Sequence, residues 1–391
     1  MLMMYNERVH LTPVTMNPKY VYLIFVLIIL FVEKSFNDYG SSSYQSFTVM
    51  FSAVLFFFIL KYRKVLKNQE GIIKLVLLWL IWMMMVSFII HPSIKLTITL
   101  AKLFQSVLWV LLFLVYFIFV FKFPYWFFRR SKQFFYVVLF FTGFLFLSSP
   151  VEERNLYLSY YALASLPWVF LFKKASWRNI GIFFILFIST FSEKRGGFLA
   201  FTLATLFFYG LDFYLRKGVS LRILYLFLIL GFLSVLFYLL TEITGSSIIE
   251  RFNLLREDEG SGRIVIYEDL SSSVKKFDWR TLSFGNGHNS TEELIGTFAH
   301  NEFLQVLVDY GIIGLLMYIF LHLTLIKKSI ILIRSKSIYS PSFLASYIIF
   351  LTISMVSHWF VMAQFVIILV SYWGFIFALT SKKAKMLTQK I

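Results

Sequence analysis

The apolar residues of this chain come in long blocks separated by short charged clusters. That pattern lacks the two-residue alternation of half-buried strands and the polar face of a water-exposed helix. Cutting at the charges leaves Tyr20–Val32, Tyr44–Leu60, Gly71–Ile90, Leu103–Phe121, Phe134–Ser149, Leu156–Phe172, Ile180–Phe191, Gly196–Leu215, Ile223–Leu240, Gly311–Ile326, Phe343–Ser357 and Trp359–Leu379. A helix needs about 20 apolar residues to cross the hydrocarbon core of a bilayer, so these stretches predict an all-α integral membrane protein of about twelve transmembrane helices. The last two form one run of 37 residues, too long for one crossing, which predicts a turn near Ser357-His358. Tyr20–Val32 and Ile180–Phe191 are short enough to be half-buried or interfacial segments.

One connection breaks the pattern. Residues 242–310 are polar and carry both signs of charge, and connections this long are either functional or disordered. Ile264-Val265-Ile266-Tyr267, Trp279, Leu282, Phe284 and Phe298 speak against disorder, and Leu294, Phe298, Leu304, Leu307 and Val308 have helical spacing between Glu292 and Val308. One or two short helices lying over the membrane surface are expected, with Gly285-Asn286-Gly287 as a tight turn. No internal repeat or low-complexity linker is evident. Residues 1–391 therefore read as a single polytopic membrane domain with 242–310 as its large external loop.

Composition sharpens this picture through charge. The 391 residues include 37 Lys and Arg against 20 Asp and Glu, a net +17. In a soluble protein that balance would suggest nucleic acid, but here its location matters more. With both termini inside, the inner segments hold clusters such as Lys61, Arg63, Lys64 and Lys67, or Arg129, Arg130 and Lys132, opposed only by Glu7, Glu70 and Asp212. The other 17 acidic residues fall outside, twelve of them between Glu242 and Asp309. Because cytoplasmic loops collect Lys and Arg, the chain is expected in a cytoplasmic membrane with both termini cytoplasmic, membrane lipid as a partner and no nucleic acid. Tyr20–Val32 is followed by Glu33-Lys34-Ser35-Phe36 without a small-residue cleavage pattern and reads as a retained span. The absence of cysteine excludes disulfides and thiolate metal sites.

Few residues offer chemistry. Lys74, Lys95 and Lys102 sit near span ends, where snorkelling accounts for them. Glu193-Lys194-Arg195 lies in a very short outer turn followed by Gly196-Gly197, which allows close approach of backbone or ligand. Arg263 follows Gly260-Ser261-Gly262, and an Arg fork beside flexible backbone suits phosphate oxygens; Arg251, Arg256 and Arg280 offer the same chemistry with less context. Of six histidines, His10 is in the inner tail, His91 and His358 are at outer turns, and His322 is inside a span. His288 and His300 are in the loop, where an imidazole could move a proton near neutral pH.

These residues resemble the O-antigen ligase and Wzy-type polysaccharide polymerase superfamily. His300-Asn301, nine residues, then Gly311-x-x-Gly314 is similar to that family's His-(Asn/Ser/Gln)-x9-Gly-x-x-(Gly/Thr/Tyr) signature. Arg195-Gly196-Gly197-Phe198-Leu199 resembles its Arg-x3-Leu element. Gly262-Arg263 before Tyr267, then Gly285-x-Gly287, resembles the layout of its long periplasmic loop. The likeness is sharp from Glu193 to Leu316, and the first half agrees in span count and topology. It implies a fold related to the C-type glycosyltransferases and an undecaprenyl-diphosphate-linked oligosaccharide as donor at the outer face of a bacterial inner membrane. It also implies Arg195 and Arg263 on the donor diphosphate and His300 as base for the acceptor hydroxyl. Lys194, Arg280, Asn301, Gly311 and Gly314 are the substrate-binding candidates, a chain-length regulator is a possible partner, and no cofactor or metal is expected.

The residues themselves fit those roles, since fixed guanidinium groups stabilise the charge developing on a departing diphosphate. No nucleotide-binding glycine loop is present. A polymerase of O-antigen or capsule units is favoured over a ligase to lipid A-core or protein on prior numbers, because neither motif identifies the acceptor. A transporter would carry charged or Gly/Pro-broken pairs deep in two corresponding halves, and none is seen. A metal-dependent transferase would use Glu257-Asp258-Glu259 or Glu268-Asp269, and activity surviving EDTA would exclude it.

Overall fold

A computed structural model describes residues 19–37, 41–66, 71–87, 96–148, 158–192, 194–215, 231, 235, 238, 242, 262–357 and 363–381. The described residues are helical and connecting, with no strand among them. In chain order the helices are α1 (Lys19–Asn37), α2 (Ser42–Leu66), α3 (Gly71–Met85), α4 (Leu96–Lys122), α5 (Pro124–Ser148), α6 (Leu158–Phe170) and α7 (Ala175–Phe191). They continue with α8 (Arg195–Leu215), α9 (Arg263–Val274), α10 (Trp279–Phe284), α11 (Ser290–Ile295), α12 (Glu302–Arg334), α13 (Ser340–Val356) and α14 (Ala363–Leu379).

Every predicted apolar stretch except Ile223–Leu240 coincides with one of these helices. That stretch falls outside the described residues apart from 231, 235 and 238, and Arg251, Arg256, Glu257-Asp258-Glu259, His91 and His358 lie outside them as well. Among the described residues four helices are long and apolar enough to cross a membrane: Ser42–Leu66, Trp126–Ser148, Arg195–Leu215 and Glu302–Arg334. Gly71–Met85, Val107–Lys122, Ala175–Thr190, Ser340–Val356 and Val366–Leu379 are apolar but shorter. α13 ends at Val356, and α14 begins at Ala363, so the 37-residue run does divide where its length demanded.

The core sits around α4 and α14, which are apolar on all sides and buried on all sides: Val107–Val120 and Val366–Ala378 contain no exposed residue. Gly374 makes their contact possible, since a Cβ there would lie 2.4 Å from the Phe113 carbonyl oxygen. Small residues at such a crossing let two helix backbones approach closely. α6 closes the group, its Trp168 indole donating to the Ile368 carbonyl (3.3 Å) and stacking on Phe135 (4.6 Å between centroids).

The segment predicted as one or two short helices contains three among its described residues, followed by a helical lead-in to α12. The helical spacing from Glu292 to Val308 does not make one helix. Gly296 (φ 71°) ends α11 in the left-handed region, and the chain restarts only at Asn301, whose Oδ1 accepts from the amides of Phe303 (3.0 Å) and Leu304 (3.3 Å). Gly311 (φ 69°, ψ −172°) then breaks α12, so residues 302–310 form a separate helix ahead of the apolar portion.

Candidate functional site

Gly285 and Gly311 decide how the polar segment meets the apolar helices. A Cβ on Gly285 would stand 2.4 Å from the Asp309 carbonyl oxygen, and one on Gly311 would stand 2.3 Å from the Ser283 carbonyl oxygen. Two backbones therefore cross in direct contact, and both glycines take positive φ to do so. The amides of Asn286 and Gly287 donate to the carbonyls of Val308 (2.9 Å) and Asp309 (3.0 Å). The predicted tight turn at 285–287 is thus a strip laid along the end of the lead-in helix. Beneath it, Trp82 of α3 stacks on Phe284 (5.8 Å) and donates from its indole to the Tyr310 carbonyl (3.3 Å).

Asp309 fastens the strip. Its carboxylate is fully buried and accepts five hydrogen bonds. Oδ1 takes Ser290 Oγ (3.1 Å), the Thr291 amide (3.0 Å) and Thr291 Oγ1 (2.8 Å), while Oδ2 takes the Asn289 amide (3.2 Å) and Gln305 Nε2 (3.0 Å). Burying a carboxylate is tolerable only with such compensation. Sequence reasoning passed over Asp309 as one acid of twelve; its position one turn past Gln305 and two residues before Gly311 was the available signal.

His300 is half-buried between Ala299 and Asn301 with φ 50°, a conformation that costs an L-residue about 1–3 kcal/mol and survives where neighbours impose it. The neighbours are clear. Gln305 Oε1 accepts from the Ala299 amide (3.0 Å) on one side, and the Asn301 cap fixes the other. Glu302, fully buried, accepts at Oε2 from Tyr318 Oη (2.6 Å) and Ser354 Oγ (2.9 Å).

Arg263 opens α9 directly after Gly262, which caps the helix in the left-handed region (φ 73°). Ile266, Leu270 and Val274, three, seven and eleven residues after Arg263 and so on its side of α9, cluster with Ala299, Leu304 and Val308, which brings the helix against the His300 loop. Lys194 and Arg195 stand at the N-terminus of α8, where the first helical bond runs from the Phe198 amide to the Lys194 carbonyl. Neither α8 nor α9 has an acidic residue in its first turn. Helix N-termini carry unpaired amides and partial positive charge, so the cations add to an already electropositive edge.

Charge ties these pieces together. The His300 pKa is lowered to about 4, first by burial and then by the positive charges of Arg263 and Lys194. Residues separated by up to 106 positions are thus close enough for both cations to act on one imidazole and favour its neutral form. Gly196 and Gly197 let α8 close in: a Cβ at Gly196 would lie 2.6 Å from Val356 of α13, and one at Gly197 would touch Tyr160 of α6 at 3.4 Å.

The other candidates have visible structural tasks. Asn301 caps α12, Gly311 permits the backbone crossing, and Gly314 packs on Tyr310, where a Cβ would meet the Tyr310 Cβ at 2.3 Å. Arg280 is exposed on α10. His288 binds the Tyr310 hydroxyl through Nδ1. His322 is buried among Phe303, Tyr318, Tyr347 and Phe350, and its ring nitrogens have no hydrogen-bond partner among the described residues.

No curated protein matches the chain. Residues 180–319 do match a family model, described as O-antigen ligase, and that interval holds Lys194, Arg195, Arg263, His300, Gly311 and Gly314. The apolar helices are those of a membrane protein, and over residues 180–319 the chain is similar to the O-antigen ligase family.

Proposed function

We propose that the protein is a polysaccharide polymerase that joins undecaprenyl-diphosphate-linked oligosaccharide units at the outer face of a bacterial cytoplasmic membrane. The carrying observation is the neutral His300 beside Arg263 and Lys194 within the family-matching segment. About twelve spans follow from the apolar stretches, and an external 242–310 loop and cytoplasmic termini follow from the asymmetry of Lys and Arg.

In the proposed reaction the acceptor hydroxyl gives its proton to a His300 ring nitrogen as its oxygen attacks the anomeric carbon. The bond from that carbon to the diphosphate oxygen breaks, and its electron pair leaves with undecaprenyl diphosphate. Arg195, Arg263 and Lys194 stabilise the charge that grows there, an effect larger in the transition state than in the ground state. A bound diphosphate also offsets the cations beside His300, raising its pKa from about 4 toward the range where a base works best. No step needs a metal or cofactor.

The description of the matching family as O-antigen ligase favours a second reading, transfer of finished glycan to lipid A-core or protein. Product length separates the two. Deleting a polymerase leaves single units on their final acceptor, whereas deleting a ligase strands long chains on the lipid carrier. His300→Ala should abolish product at unchanged protein abundance, because a general base contributes a factor of about 100 to 10,000. Long lipid-linked polymer in the deletion strain overturns the polymerase reading, and full activity in His300→Ala removes the histidine from either. Orientation is checked at Ser272, which is exposed on α9. Labelling of Ser272→Cys only after the cytoplasm is opened would refute the external loop.

A further inference from the structure

We infer that Glu302 is a positioning residue whose buried carboxylate, through Tyr318 and Ser354, sets the distance between the base His300 and the cations at the start of α8. This inference rests on the proposed roles of His300, Lys194 and Arg195.

Glu302 follows the base by two residues, and its Oε2 meets two hydroxyls from other parts of the fold. Tyr318 Oη (2.6 Å) and Ser354 Oγ (2.9 Å) both stand within hydrogen-bonding distance of Oε2 and lie 2.8 Å from each other, and donating their two protons to the carboxylate leaves the hydroxyl pair as a close contact. All three residues are fully buried. A carboxylate placed there is costly, and a hydrophobic residue of similar size would satisfy packing alone. What the carboxylate adds is a link of fixed geometry between separate elements. Tyr318 lies on the apolar portion of α12, beyond the break at Gly311, and Ser354 lies on α13.

The link matters because of what else α13 holds. Val356, two residues past Ser354 and about 3 Å further along the helix axis, is the residue against which Gly196 packs. One end of α13 therefore grips the His300 loop through Glu302 and the Lys194-Arg195 turn through Gly196. The base and the cations come from stretches of chain more than 100 residues apart and share this single mount. Gly311 interrupts the helix between residues 302–310 and the rest of α12, so the grip through Glu302 adds a side-chain link across that break. The left-handed φ of His300 persists only while its flanks are held.

A misplacement of about 1 Å can cost a factor of about 100 in rate. If Glu302 sets register, loosening it displaces the base relative to the bound donor without removing any group that binds the donor. Turnover then falls while donor affinity stays. A purely structural role would lower abundance or move both constants together.

The test uses the full chain in nanodiscs, with lipid-linked oligosaccharide extracted from the deletion strain as substrate. The double variant Tyr318→Phe/Ser354→Ala keeps both packing volumes and removes these two hydroxyl donors to Glu302. It should lose about 100-fold in kcat with the donor KM within about twofold of wild type. Glu302→Ala should behave alike, and Glu302→Gln, which can still accept from Tyr318, should recover most of the turnover. Should the double variant fail to accumulate, each single variant retains one donor and should show a smaller kcat loss at normal abundance. Wild-type kcat in the accumulated variants, or a loss that tracks abundance alone, overturns the inference. His300→Ala in the same assay separates the two ideas: an active His300→Ala defeats the underlying mechanism, whereas an inactive one beside a fully active Tyr318→Phe/Ser354→Ala defeats only the role of Glu302.

Discussion

Replacing Asp309 by Asn removes the least and disturbs the most, which makes it a sharp test of how the polar strip is held. The two oxygens of Asp309 accept three and two hydrogen bonds. An amide must place its NH2 on one side, and the cheaper choice is the Oδ2 side, where it meets the Asn289 amide and Gln305 Nε2. Both are donors. Gln305 cannot turn its own oxygen inward without giving up the Ala299 amide at 3.0 Å. Two bonds to a charged acceptor are therefore lost, at about 1.5 kcal/mol each, or about 3 kcal/mol in all. That cost falls on the contact between residues 289–291 and the lead-in helix. Local opening should become about 100-fold more frequent, since each 1.4 kcal/mol is a factor of ten. Amide hydrogen exchange measured by mass spectrometry in nanodiscs reads this directly. Peptides covering 285–301 should exchange about 100-fold faster in Asp309→Asn, while 366–378 in the α4 and α14 core stays unchanged. Exchange across 285–301 within about threefold of wild type would show that the carboxylate does not hold the strip.

Other expectations follow from the same geometry. Gly285→Ala and Gly311→Ala should each abolish activity and lower the melting temperature in detergent, because the added Cβ would stand 2.4 Å and 2.3 Å from backbone oxygens that cannot move aside. Gly210→Ala, with nothing within 4 Å and a helical setting, should leave activity intact and stabilise by up to about 1 kcal/mol. A lowered pKa keeps His300 neutral as pH falls, so kcat/KM should stay flat from pH 7.5 to 5 and drop only as pH approaches about 4. Arg263→Gln, by removing one neighbouring cation, should shift that acid limb upward, and an acid limb at the ordinary histidine value in the parent protein would contradict the cluster. Arg195→Lys and Arg263→Lys should both fail to restore transfer at equal abundance, because an ammonium does not reproduce the paired donors of a guanidinium on diphosphate.

The sequence alone determined the helical class, the apolar stretches and the one segment unlike the rest. Its blocks of apolar residues admit little except helices, because backbone amides in a bilayer must be satisfied within the segment. It also singled out His300, Arg195 and Arg263, since the His-Asn, Arg-Gly-Gly and Gly-Arg motifs are local strings with local chemistry. What it could not supply was contact between distant residues. The spacing of Leu294, Phe298, Leu304 and Val308 read as one helix, yet Gly296 and His300 take left-handed backbone because the lead-in helix must turn to meet residues 285–287. Gly311 read as a ligand-binding position, and only the tertiary structure shows that its lack of a side chain admits the Ser283 backbone. Asp309 and Glu302 stood in the sequence only among the twelve acids of the loop, and packing against Thr291 and Gln305, or Tyr318 and Ser354, reveals them as buried acceptors. The proximity of Arg263 and Lys194 to His300 belongs to the tertiary structure as well. Charge acts through space, and no pattern along the chain records which cations the fold will bring to one imidazole.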